Sequence, residues 1–164
     1  MNMTDSSSLL TTRTARGVWE GSLADGAGSV EMVSSGISTY AVSWAGRTNR
    51  AAVQTSPEEL IAAAQATCFN MALAQQLLSV SGKSAKFLET TVDVSFDAAV
   101  GVIAQIALNV RAVIDGIDDA EFATIAAEAK ANCPVARALT GTEIVLNTNL
   151  VERSATLSPG TRAA

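Results

Sequence analysis

The stretch T-S-P-E-E-L-I-A-A-A-Q-A-T-C-F-N-M-A-L-A-Q-Q-L-L, residues 55–78, decides how this chain is read. It opens with a helix start signal: Ser56 at the N-cap, Pro57 at the first helical position, and Glu59 placed to complete a capping box. Pro57 has no N–H to lose there, and its fixed φ already suits a helix. Beyond the cap, Leu60, Ile61, Ala62, Ala63, Ala64, Ala66, Phe69, Met71, Ala72, Leu73, Leu77 and Leu78 place apolar groups almost all the way round. A helix without a broad polar face is a buried one. Gln65, Asn70, Gln75 and Gln76 interrupt it, and it is too short to read as a membrane span. Midway along it sits Cys68, one of 2 cysteines in the chain.

Working outward, 164 residues with 48% hydrophobic and 16% charged content predict one folded domain with a sizeable core. The domain is expected over residues 13–152, between a flexible arm at 1–12 and a frayed tail at 153–164. A net charge of −5 without any basic cluster argues against a nucleic-acid partner. The opening residues carry no apolar run of the secretory type, so a cytoplasmic location is expected. In that reducing setting a transient redox disulfide is a better use of two cysteines than a permanent one. The chain has no histidine, which excludes Ser-His-Asp and Cys-His catalysis and every histidine-containing metal site. Two cysteines also fall short of a four-thiolate zinc site. No metal is expected, and any cysteine chemistry must be activated by another group of the chain.

Strand candidates flank the helix on both sides. Thr14 to Glu20 and Ser29 to Val33 bracket the turn Asp25-Gly26-Ala27-Gly28 and predict an antiparallel hairpin. Ser38 to Trp44 alternates and then runs into a polar loop at 45–50. After a glycine-containing turn at 79–83, Ala85 to Ala98 and Val102 to Val113 predict a second hairpin, the latter with Ile106, Leu108, Val110 and Ala112 on one face. Asp118 or Asp119 can cap a helix over 120–131, whose stripe is Phe122, Ile125, Ala126 and Ala129. Cys133-Pro134 opens a short turn or helix to Leu139, and Thr142 to Val151 is the last strand. Strands grouped before and after helices, with hairpin-length connections, predict an α+β fold.

Cys68 admits two readings. A free cysteine among alanines serves as a small core hydrophobe, and burial would make it inert. A reactive Cys68 instead needs a cation brought to it, because it lies about three turns past the helix start, beyond the reach of the dipole. Arg47 and Arg50, in the loop before the helix, are the two candidates, since a guanidinium is always charged and its forked donors suit both a thiolate and a peroxide oxygen. With Glu59 explained by the cap, Glu58 is left to hold such an arginine. On a straight helix Glu58 and Cys68 stand about 15 Å apart at ~1.5 Å per residue. A shared site therefore requires a helix break or a second subunit. Cys133 reads either as a structural thiol or as a resolving cysteine that condenses with a Cys68 sulfenic acid.

At these residues the chain resembles the OsmC/Ohr family of thiol peroxidases. The resemblance rests on S-P-E-E-L-I-A-A-A at 56–64, C-F-N-M-A-L at 68–73 and N-C-P-V at 132–135, in matching order and spacing. S-W-A-G-R at 43–47 and the wording of the central helix look more like the OsmC branch. It covers roughly residues 14–151 and implies antiparallel sheets wrapped around a long buried central helix, in an intertwined homodimer with shared active sites. It implies that Cys68 is peroxidatic, Cys133 resolving, and Glu58 the acid that holds the arginine, for which Arg47 is the better match and Arg50 an alternative. Gln65 stands where many OsmC relatives carry histidine, and Ala136 where serine is common; neither belongs to the peroxidase set.

The implied activity is reduction of organic hydroperoxides, and more weakly of hydrogen peroxide, to alcohols in oxidative-stress defence. It runs through a Cys68 sulfenic acid and a Cys68–Cys133 disulfide, which an external dithiol reopens. Relatives of the Ohr type use dihydrolipoyl groups for that last step. Phe69, Met71 and Trp44 are candidates for an apolar substrate pocket. The alternative is a non-catalytic redox sensor or an apolar-ligand-binding dimer. Because so apolar a helix needs more cover than one small sheet provides, the chain is expected to elute as a dimer at micromolar concentration; a monomeric profile there would refute this.

Overall fold

A computed structural model describes residues 10–49 and 51–151, so Arg50, most of the expected arm and the expected tail at 153–164 lie outside the described residues. Two compact units make up the chain, Met1–Ser56 and Pro57–Ala164.

In the first unit β1 (Arg16–Glu20), β2 (Ala27–Glu31) and β3 (Thr39–Ser43) form an antiparallel sheet in sequential order. Gly28 opposes Trp19 across the hairpin, and a Cβ there would collide with the Val18 carbonyl, so only glycine lets the strands close at this point. Arg16 and Glu31 face each other at the open end, 2.6 Å apart and exposed, a pairing that fixes register more than it adds stability. The polar loop expected after β3 is instead a short helix, α1 (Trp44–Thr48). Ser43 starts it by accepting from the Gly46 N–H at 3.0 Å. Among the described residues before Glu58, none is buried; Val18, Trp19 and Tyr40 remain exposed.

The second unit holds the core. The quoted stretch is one unbroken helix, α2 (Pro57–Ser81), starting where the cap signal put it and running three residues past the expected end. Gly82, at φ +67°, stops it, with its N–H on the Leu78 carbonyl at 3.1 Å. β4 (Phe87–Asp97) and β5 (Val102–Val113) form the expected antiparallel hairpin, with a bulge at Ser95/Phe96. α3 (Asp119–Asn132) is capped by Asp118, whose carboxylate accepts from the Glu121 N–H at 2.8 Å. α4 (Pro134–Ala138) follows, and then β6 (Glu143–Leu150).

β6 pairs with β5 in parallel, so this sheet, ordered β4-β5-β6, is mixed where antiparallel pairing was expected throughout. The reason is the connection. A hairpin loop returns the chain antiparallel, whereas α3 and α4 together form a crossover long enough to carry it back to the starting end of β5.

The central strand β5 buries Ile106, Leu108, Val110 and Ala112, and α3 buries Phe122, Ile125, Ala126 and Ala129, the two sets read from periodicity. Against them α2 buries Phe69, Leu73 and Leu77, together with Glu58 and Gln65. Its cover is one-sided. Ala64, Thr67, Met71, Ala74 and Leu78 are exposed and Leu60 half-buried, an apolar seam with alternating spacings of four and three. The all-round apolar character of α2 therefore divides into a core face and a seam that the described residues of its own unit leave open.

Leu73 is fully buried at the middle of the core face. Leu73→Ala is expected to lower unfolding free energy by about 2–5 kcal/mol in urea titration of the reduced protein. A loss under ~0.5 kcal/mol would mean that α2 does not hold the core together.

Candidate functional site

Two elements bring the cysteines together. α2 carries Cys68, half-buried, next to the core residue Phe69. Cys133 closes α3 and opens α4 in an extended conformation (φ −66°, ψ 119°), followed by Pro134 in the first turn of α4. Proline there has no N–H to continue α3's ladder, and it restricts the preceding residue to extended backbone. The break at Cys133 is thus written into the C-P pair, and it leaves the thiol free of any helix face. Its sulfur is fully buried and donates to Cys68 Sγ at 3.3 Å. Both cysteines are free thiols.

The environment separates the two sulfurs chemically. Burial pushes the Cys133 thiol above its ordinary pKa, and the adjoining Cys68 adds to this through its hydrogen bond and its charge. The backbone N–H groups of Ala136 and Val135, at the start of α4, pull the other way and offset only part of the rise. Cys133 therefore keeps its proton to higher pH than an ordinary thiol, in keeping with its place as the donor of the pair.

Gln65 completes the cluster. One turn before Cys68 on α2 and fully buried, it donates from Nε2 to Cys133 Sγ at 3.9 Å. In sequence it looked like an interruption of an apolar run; its signal was its place seven residues after Glu58 and three before Cys68, on the core-facing side of the helix. Glu58 is buried in the first turn of α2, 6% exposed. Because α2 is continuous, a helix break no longer accounts for the separation of Glu58 and Cys68.

Arg47 lies in the first unit, near the end of α1, with its guanidinium 6.0 Å from the centre of the Trp44 ring, the outer limit of a cation–π contact. Both side chains are half-buried. Phe69 and Met71 are not brought together: two positions apart on α2, they point to opposite sides, Phe69 into the core and Met71 outward at 67% exposure. Among the described residues there is no cluster of three or more metal-ligating side chains, and no helix long and apolar enough to cross a membrane.

The family model described as OsmC-like protein matches residues 49–149, more than half of the chain. The chain belongs to the OsmC-like family. Glu58, Gln65, Cys68 and Cys133 fall inside the matched region of this OsmC-like chain; Arg47 falls just before it. Peroxiredoxin OsmC of Escherichia coli (strain K12) is 44% identical over 98 residues, spanning 58% of this chain and 67% of that protein. Among solved structures, an organic hydroperoxide resistance protein OsmC from Legionella pneumophila superposes with a TM-score of 0.64 at 25% identity, over 85% of this chain and 98% of its own. An organic hydroperoxide resistance protein from Elizabethkingia anophelis gives 0.67 at 22% identity, over 88% and 99%, a likeness of fold.

The raised Cys133 pKa has a consequence for stability. As pH rises, the unfolded chain loses this proton first, near the ordinary thiol value of about 8.5. Its contribution is thus complete below that pH and is lost as pH climbs toward the folded value. Between about pH 8 and about pH 10 the reduced wild type is expected to lose more stability than Cys133→Ala. Parallel urea titrations of the two proteins would show this as a steeper fall for wild type.

Proposed function

We propose that this OsmC-like protein is a thiol peroxidase that reduces organic hydroperoxides, and hydrogen peroxide more weakly, in defence against oxidative stress. The observation that carries the reading is the pair of free thiols 3.3 Å apart, with Cys133 as the donor. A neutral, fully buried thiol is a poor nucleophile toward peroxide, which leaves attack to the more exposed Cys68. The relatedness to a peroxiredoxin and to organic hydroperoxide resistance proteins supports the same chemistry.

In this reading the Cys68 thiolate attacks the terminal peroxide oxygen, an alcohol leaves, and Cys68 becomes a sulfenic acid. Cys133 then closes a disulfide with release of water, and an external dithiol, of lipoyl type in the Ohr-like manner, reopens it by exchange. Arg47, or Arg50 beyond the described residues, stabilises the thiolate and is held by Glu58. On an unbroken α2, Glu58 and Cys68 are about 15 Å apart, so a site that uses both takes them from two subunits. The open seam of α2 and the uncovered apolar residues of the first sheet support such a homodimer: spacings of four and three are those of helices that pack along one another. Met71 and Trp44 are the residues we assign to an apolar substrate surface; Phe69 acts from behind by fixing the rotation of α2. The chemistry uses no metal or organic cofactor, and a cytoplasmic setting with its dithiols suits it.

Reductant-coupled turnover of cumene hydroperoxide tests the reading. Cys68→Ser is expected to abolish turnover, and Arg47→Ala to lower kcat/KM by about 100-fold or more, as for loss of a charged group that stabilises a reacting ion. Unchanged turnover in Cys68→Ser removes the mechanism. One stoichiometric oxidation of wild type without turnover would instead favour a redox sensor.

A further inference from the structure

Gln65 is an unexpected residue to find where it is. Glu58 and Gln65 are the buried polar or charged side chains among the described residues, and Gln65 has no exposure at all. It sits on the face of α2 that otherwise contributes Phe69, Leu73 and Leu77 to the core. A leucine or methionine would fill this place without burying an amide. The amide is only partly used. Its Nε2 donates to Cys133 Sγ at 3.9 Å, a long contact even for sulfur, while its buried Oε1 meets no donor among the described residues. An amide with a free acceptor, beside two sulfurs 3.3 Å apart, is open to a donor that the described residues do not supply.

We infer that Gln65 is a positioning residue for disulfide closure, a role that rests on the peroxidase reading above. Oxidation of Cys68 creates the missing donor, the hydroxyl of a sulfenic acid, one helical turn from Gln65. In the closure step the Cys133 sulfur supplies the electron pair of the new S–S bond and the S–O bond at Cys68 breaks. The thiol proton of Cys133 leaves with the hydroxide as water, so that Cys133 is oxidised and the Cys68 sulfur reduced. Cys133 must develop negative charge on the way, in surroundings that disfavour it. The Gln65 N–H points at that sulfur and strengthens as the charge grows, while Oε1 holds the hydroxyl of Cys68 in a fixed direction. Both ends of the amide act on the second step; neither touches the incoming peroxide.

Single-turnover kinetics distinguish the steps. Peroxide consumption by reduced protein follows oxidation of Cys68, and mass spectrometry after dimedone quenching separates trapped sulfenic acid from disulfide. Gln65→Met, close in shape but without the donor, and Gln65→Glu, which keeps an acceptor, are compared with wild type. Both variants are expected to consume cumene hydroperoxide within about 2-fold of the wild-type rate, yet to close the disulfide at least ~10-fold more slowly, so that dimedone adduct accumulates. The pH midpoint of closure should also move upward in Gln65→Met, a change that looser packing alone would not produce. Closure at the wild-type rate and with the wild-type pH profile in both variants overturns the inference while leaving the peroxidase intact. Absence of any disulfide in oxidised wild type overturns the inference together with the reading beneath it.

Discussion

The structure depends on α2 being straight and continuous while its core face carries polar groups. Phe69, Leu73 and Leu77 lie on the face of α2 that packs against β4 and α3, and their burial fixes the rotation of the helix about its axis. Once the rotation is set, little freedom remains. Gln65 must enter the core, Cys68 must stand at its margin, and Met71 must face away. The same rigidity keeps Glu58 and Cys68 at opposite ends of a span that no side chain of either residue crosses. The wish for a dry environment around a sulfur and the wish for a charged group beside it therefore cannot both be met by this helix alone.

Cys133 is placed by a different means. Where Cys68 is positioned by packing, Cys133 is positioned by the interruption of a helix, with Pro134 restricting the backbone before it. The crossover made by α3 and α4 then carries the chain into β6, parallel to β5. The parallel pairing and the location of Cys133 share one cause. A connection short enough for a hairpin would have had no helix junction to lay across α2.

Much of the second unit was legible from periodicity. β5 and α3 each show one clean apolar face, and the residues on those faces are the ones buried. The direction of β6 was not legible, because side chains alternate in the same way whether a strand runs parallel or antiparallel. α1 was hidden for a different reason: five residues including Gly46 carry no helical periodicity, and only the Ser43 cap marks it. At the site, residue type picks out Cys68, Cys133 and Glu58 as candidates, but the sulfur contact joins positions 65 apart and belongs to the folded chain. Gln65 was seen as a break in an apolar run because sequence shows composition before it shows which way a side chain points.

The separation of the two sulfurs along the chain has a mechanical consequence. A covalent bond across their gap closes a loop of 65 residues around the whole β4–β5 hairpin and most of the crossover. By loop-closure entropy alone, such a tie is worth about 4 kcal/mol against unfolding. The reduced and oxidised forms would then share one fold but differ in resilience, the oxidised form being the harder to unfold. Such a bond would turn a slack tether between α2 and the α3–α4 junction into a taut one.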